Sequence, residues 1–144
     1  MTKSHSEIYL EQTAEMATLI DHTAVERIAL GLAQLRARGG RLFVLGVGGS
    51  AANSSHAVSD LRKLAGIEAY APTDNVSELT ARINDDGWEN SYKDWLIVSN
   101  LSKRDALFIF SVGGGNIKKK VSLNLVQAIK IDKQRKTLIL GITG

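Results

Sequence analysis

The stretch RLFVLGVGGSAANSSH, residues 41–56, decides the fold. Leu42 to Leu45 form an apolar run without the in/out alternation of a half-exposed strand, and the run breaks into Gly46, Gly48 and Gly49 before small polar residues begin at Ser50. Such a run reads as a strand covered on both faces, the habit of parallel sheets packed between helices. A glycine turn between a strand and a helix leaves the first helical N–H groups free, and those groups favour an anion. Gly48 and Gly49 let the backbone approach a ligand closely, and Ser50 reads as the cap of the following helix with its hydroxyl offered to the same anion. A phosphate is the natural guest.

Outward from this stretch the same alternation continues. Residues 5–19 and 23–37 read as amphipathic helices closed by Gly39-Gly40. After the strand 41–46 come a helix over 50–64, a strand IEAYA at 67–71, and short helices around 77–83 and 89–99. ALFIFS at 106–111 is a third strand, VGGGN leads into a basic helix, and TLILGI at 137–142 is a fourth strand. Apolar strands alternating with helices predict an α/β fold with a parallel sheet. The single proline, Pro72, punctuates the chain without dividing it, and no repeat or low-complexity linker is present.

Composition narrows the possibilities. The 144 residues suit about one domain, and 44% hydrophobic with 23% charged residues is ordinary for a globular chain. With no cysteine there is no disulfide framework and no thiolate metal site, and nothing supports secretion. No apolar run is long enough for a membrane helix, and Met1 to Leu10 lacks a signal-peptide core, so a cytoplasmic protein is expected. The net charge of +3 is mild. Much of it lies in Lys118, Lys119, Lys120, Lys130, Lys133, Arg135 and Lys136, interleaved with Val121, Leu125, Val126 and Ile129 at helical spacing, which reads as a solvated helix face and not a nucleic-acid surface.

A second glycine turn, FSVGGGN, also follows a strand. In a flavodoxin-like strand order 2-1-3-4, strands one and three are neighbours, so both glycine loops flank one crevice and together make a phosphate cradle. Two other readings stand beside this one. Both turns could serve packing alone, and GVGGSA fits the loose dinucleotide pattern G-x-G-x-x-A, with Glu68 as the downstream acid but near the start of its strand.

Taken in series, GVGGSAANSSH, TDNVSELTARINDDGWENSY, DALFIFSVGGGN and TLILGITG resemble the sugar-isomerase (SIS) fold and, within it, the phosphoheptose isomerases. That family carries G-N-G-G-S-x-x-x-x-x-H, T-D-x-S-x-L-T-A-x-x-N-D-x-G, S-T-S-G-N-S and a final L-T-G, and the match runs over residues 40–144. The resemblance implies a three-layer α/β sandwich with a flavodoxin-like parallel sheet, four strands of it here, and an N-terminal helical region over 1–39 that joins subunits into a tetramer or dimer. It implies an aldose–ketose isomerase acting on sedoheptulose 7-phosphate, often with zinc. By position, Gly48, Gly49, Ser50, Asn53, Asp85, Ser111, Gly113, Gly114 and Asn116 would contact the phosphorylated sugar. His56 and Asp60 would take the places of a metal-binding His and a catalytic, metal-binding Glu.

The chemistry of those residues agrees in outline. Moving a carbonyl between two carbons needs a base to shuttle a proton through an enediol and a positive group to steady the oxyanion. His56 and Asp60 are four apart on one helix face, and an imidazole with a carboxylate suits zinc, although it equally suits a simple helix ion pair. His5 and His22 read as exposed, and Trp88, Tyr92 and Trp95 as a helix face packed on the core or on another subunit.

The departures from the pattern also carry information. Val47 replaces the family's Asn, Val112 and Gly113 replace two hydroxyl residues, and Asp60 is a methylene shorter than Glu. The family pattern continues past L-T-G into a strand and a helix bearing a His and a Gln, which leads us to expect an SIS domain incomplete at its C-terminal side. A non-catalytic SIS module that binds a sugar phosphate, or a protein such as a replication initiator, is the second expectation, supported by the SAAN run and the lost hydroxyls.

Overall fold

The computed structural model describes residues 2–144, apart from the side chains of residues 132–134, so Lys133 of the basic segment lies outside the described residues. In chain order the elements are α1 (His5–Leu19), α2 (His22–Ala37), β1 (Leu42–Leu45), α3 (Gly49–Lys63), β2 (Ala69–Tyr70), α4 (Val76–Asp86), α5 (Ser91–Val98), β3 (Ala106–Ser111), α6 (Leu123–Arg135) and β4 (Leu138–Thr143). The chain divides into two compact units, the residues up to Leu32 and those from Ala33 onward.

In the first unit, Ser4 and Glu7 close α1 with a reciprocal capping box: the Glu7 N–H donates to Ser4 Oγ, and the Ser4 N–H to the Glu7 carboxylate at 2.7 Å. Asp21 accepts from the Ala24 N–H at the start of α2. Apolar side chains here stay open, with Leu10 66% and Leu19 75% exposed. His5 and His22 are exposed, as read from the sequence.

The second unit is a parallel four-stranded sheet in the order β2-β1-β3-β4, the order the sequence predicts. Leu42 pairs with Ala106 and Ala106 with Leu138, so β1 and β3 are covered on both edges as well as both faces. Alternation then splits their side chains. Phe43, Leu45, Leu107 and Ile109 face the layer of α5 and α6, where they pack on Tyr92, Leu96, Leu101, Leu125 and Ala128. Leu42 and Val44 point to the opposite face, toward α3. Tyr92 is fully buried and Trp95 meets Phe43 edge-on at 5.4 Å, while Trp88 is 38% exposed, which bears out a core-facing stripe for two of the three aromatics.

Three readings need correction. The strand at 67–71 shortens to Ala69–Tyr70 on the sheet's edge. The basic helix does not begin at the lysines: Lys118–Lys120 lie in a turn closed by paired Asn116 and Val121, and positive φ at Lys120 and Ser122 holds off the helix until Leu123. The second glycine turn therefore opens a loop and not a helix. Ser50 is not the cap of α3, because the helix starts a residue earlier, with Gly48 as its cap and no side-chain bond.

At the N-terminal ends of β1 and β3, Asp105 is buried and collects five donors. The Arg41 N–H, Nε and Nη2 reach it at 2.9–3.2 Å, and the Ser102 N–H and hydroxyl at 2.9 and 3.0 Å. Arg41 also donates to the Ser99 and Asn100 carbonyls at the end of α5, so this pair locks that helix to the sheet. Burial works against the Asp105 charge, but the hydrogen bonds from Arg41 and Ser102 outweigh it and hold the carboxyl below its ordinary value. A carboxyl whose folded value is lowered stabilises above the unfolded value, near 3.9, and loses that contribution as pH falls through the folded value. Asp105→Asn is expected to cost roughly 2–3 kcal/mol at neutral pH, somewhat under the figure for a fully buried pair because Arg41 keeps 29% of its side chain in solvent. Thermal unfolding from pH 8 to pH 2 tests this: the gap between wild type and variant is expected to hold from pH 8 to about pH 5 and to close below about pH 4.

Candidate functional site

The site begins where β1 runs out. A Cβ placed on Gly46 would overlap the backbone carbonyl of Ser50 and crowd the Ala51 nitrogen, so only glycine lets the first turn of α3 sit against the strand end. Gly48 then turns the chain with φ 61° and ψ −124°, a left-handed region that side chains disfavour. Ser50 donates its N–H to the Val47 carbonyl, and Ala51 and Ala52 donate to Gly48. The N–H groups of Val47, Gly48 and Gly49 have no acceptor among the described residues, which leaves three successive donors at the helix start. A Cβ on Gly48, Gly49 or Gly113 would meet nothing within 4 Å, so the fold's packing does not explain the glycine there.

Beside this turn lies a cavity of about 430 Å³. Ser50 and Asn53 line it from α3, Phe110, Ser111 and Val112 from the end of β3, and Ile142, Thr143 and Gly144 from the end of β4. Ser50 and Asn53 are three apart and share a helix face. On α3, Ser54 donates back to the Ser50 carbonyl at 2.8 Å, Ser55 to Asp74 at 2.6 Å and Arg62 to the Ala69 carbonyl at 3.0 Å. Ser50, Asn53 and Ser111 make no side-chain hydrogen bond among the described residues and converge on the cavity over an apolar floor of Phe110 and Ile142. This is the chemistry of a small polar ligand with an anionic end: unspent donors on one side and a desolvating surface on the other.

Other residues singled out in the sequence lie elsewhere. Gly113 and Gly114 follow Val112 on the rim. Asn116 is occupied, its side chain accepting from the Lys119 N–H at 2.9 Å and its backbone pairing with Val121. Asp85 sits exposed on α4 and accepts from Asn84. His56 Nε2 and Asp60 Oδ2 are 3.2 Å apart, with 80% and 53% of their side chains exposed. Asp60, with Ala57, Leu61 and Phe108, borders a second hollow of about 380 Å³ on the same stripe of α3 that carries Asn53. Thr143 is a site residue that the reading of individual residues missed, and its place in the final ITG was the available signal.

No protein-family model matches the chain. Relatives are found nonetheless. The chain is 32% identical over 116 residues to the lincomycin biosynthesis protein LmbN of Streptomyces lincolnensis, covering 74% of this chain and 40% of LmbN. It is 28% identical over 149 residues to the phosphoheptose isomerase of Helicobacter hepaticus, covering all of this chain and 71% of that enzyme. The solved structure of a phosphoheptose isomerase from Francisella tularensis superposes with a TM-score of 0.83 at 22% identity, over 99% of this chain and 76% of that one, a likeness that shows the fold. The chain is of the SIS type, a homologue of the phosphoheptose isomerases. Within this SIS chain the two glycine turns lie where the sequence reading put them, at the C-terminal ends of adjacent parallel strands.

Gly46 and Gly49 make opposite demands. Gly46→Ala is expected to cost about 1–3 kcal/mol through overpacking, or to prevent folding. Gly49→Ala, with open space around its Cβ, is expected to stay within about 0.5 kcal/mol of wild type. Urea unfolding of the two variants measures the difference.

Proposed function

We propose that this chain is a sugar-phosphate aldose–ketose isomerase of the phosphoheptose type, converting sedoheptulose 7-phosphate to D-glycero-D-manno-heptose 7-phosphate through an enediol. The observation that carries the reading is the convergence of unpartnered Ser50, Asn53 and Ser111 beside three free N–H groups, in a chain homologous to phosphoheptose isomerases. In this reading the phosphate rests on the first glycine turn and on the Ser50 and Ser111 hydroxyls, while Asn53 and Thr143 contact the sugar. The Asn53–Asp60 stripe spans seven residues, roughly 10 Å of helix rise, on the order of the reach of an extended sugar phosphate. That reach supports Asp60 as the residue that transfers the proton, with His56 as its paired partner.

Zinc, which the resemblance implies, asks for about four ligands. His56 and Asp60 supply two, and no group of three His, Cys, Asp or Glu side chains comes together among the described residues. These residues by themselves do not make up a zinc site. The openness of His56 and Asp60 and of the N-terminal helices supports a homo-oligomer in which a second copy encloses the reacting end. The same openness favours a second reading, a module that binds a sugar phosphate without turning it over.

Proton NMR in D₂O, with sedoheptulose 7-phosphate and the purified chain, separates the two. Turnover is expected to bring deuterium into the substrate at the reacting carbon. Asp60→Asn is expected to slow that exchange by a factor of about 100 or more, and Ser111→Ala to raise KM about tenfold with kcat little changed. Binding without exchange would select the module. Absence of both would remove the sugar-phosphate reading.

A further inference from the structure

Beneath the first glycine turn lies a polar contact outside the cavity. Tyr92, on α5, has no exposed surface, yet its hydroxyl donates 2.7 Å to the Gly46 carbonyl across the core. Burial pushes its phenol up to about 12, so it stays a donor at every physiological pH. The ring is held independently of that bond, by Trp88 at 5.9 Å and by the apolar cluster of α5, α6 and the sheet.

The acceptor is the residue on which the turn depends. Gly46 is fixed on one side by the backbone of Ser50, which leaves no room for a Cβ, and on the other by this hydroxyl. A trans peptide holds its N–H opposite its C=O. Drawing the Gly46 carbonyl toward α5 therefore turns the Val47 N–H away from α5, and Val47 is the first of the three free donors. The Val47 and Gly48 carbonyls are taken in turn by Ser50 and by Ala51 and Ala52. Three consecutive carbonyls thus have fixed partners, and the N–H groups of residues 47–49 are left facing the other way.

We infer that Tyr92 is the positioning residue of the anion site: its hydroxyl, by holding the Gly46 carbonyl, aims the Val47 N–H, the first of the three free donors, at a phosphate group. The inference rests on the sugar-phosphate reading for the identity of the ligand, and on this chain's own hydrogen bonds for the geometry. Tyr92 touches no substrate; it acts through the backbone.

The test uses Tyr92→Phe in the full chain, a change that keeps the packed ring and deletes the hydroxyl. Amide ¹⁵N–¹H spectra are recorded without ligand and through titrations with inorganic phosphate and with sedoheptulose 7-phosphate. Asp105→Asn, at the opposite end of the strands, serves as a destabilised control. The variant is expected to displace the Val47, Gly48 and Gly49 amide resonances before any ligand is added and to weaken binding of both probes three- to tenfold. The control is expected to leave those resonances in place and to bind within twofold of wild type. Unchanged resonances with unchanged affinity in Tyr92→Phe would overturn the inference, as would an equal loss of affinity in the control, which would mark the effect as general destabilisation. If wild type binds neither probe, the sugar-phosphate reading fails, and the ligand-free resonances alone decide the role of Tyr92.

Discussion

The absence of a side chain at Gly46 is the constraint on which the rest of this structure depends. Because the Ser50 carbonyl occupies the space a Cβ would need, α3 can start directly against the end of β1 instead of standing off from it. That closeness puts Ser50 and Asn53 over the sheet's C-terminal edge, where Ser111 and Thr143 arrive from the neighbouring strands. It also shortens the turn, so that the Val47 and Gly48 carbonyls are used within it, the Gly46 carbonyl accepts from Tyr92, and the N–H groups of residues 47–49 have no acceptor among the described residues. Packing and ligand chemistry are set by the same absent atom.

The two ends of the sheet are built for different tasks. At the N-terminal ends, Arg41 and Asp105 spend nearly all their hydrogen-bonding capacity on each other, on Ser102 and on the end of α5, and the result is a rigid, closed joint. At the C-terminal ends, hydroxyls, an amide and backbone donors have no protein partner among the described residues and lie open beside Phe110 and Ile142. The contrast between a closed joint at one end and open donors at the other marks the C-terminal end as the side where a ligand can be met.

Much of the fold was legible because its signals are local. The apolar runs Leu42–Leu45 and Ala106–Ser111 read as strands covered on both faces, and the glycines that follow them marked the crevice. The flavodoxin-like strand order, taken from the βα alternation, is the one observed, and it brings the two glycine turns side by side. The failures came where a local pattern met a competing backbone preference. Lys118–Lys120 have helical spacing with the residues that follow, but left-handed backbone at Lys120 and Ser122 delays the helix, a preference that composition does not announce. The roles of Tyr92 and Asp105 were out of reach for another reason: each bonds a residue 46 or 64 positions away, and only the folded chain brings such partners together.

The most direct test of the central claim, that the two glycine turns and the ends of β3 and β4 form one anion-binding recess, is a crystal structure of the chain with sedoheptulose 7-phosphate. The phosphate is expected within hydrogen-bonding distance of Ser50 Oγ, Ser111 Oγ and the N–H groups of residues 47–49, with the sugar running along α3 toward Asp60. A phosphate bound elsewhere on the chain, with the Ser50 and Ser111 hydroxyls untouched, would contradict it.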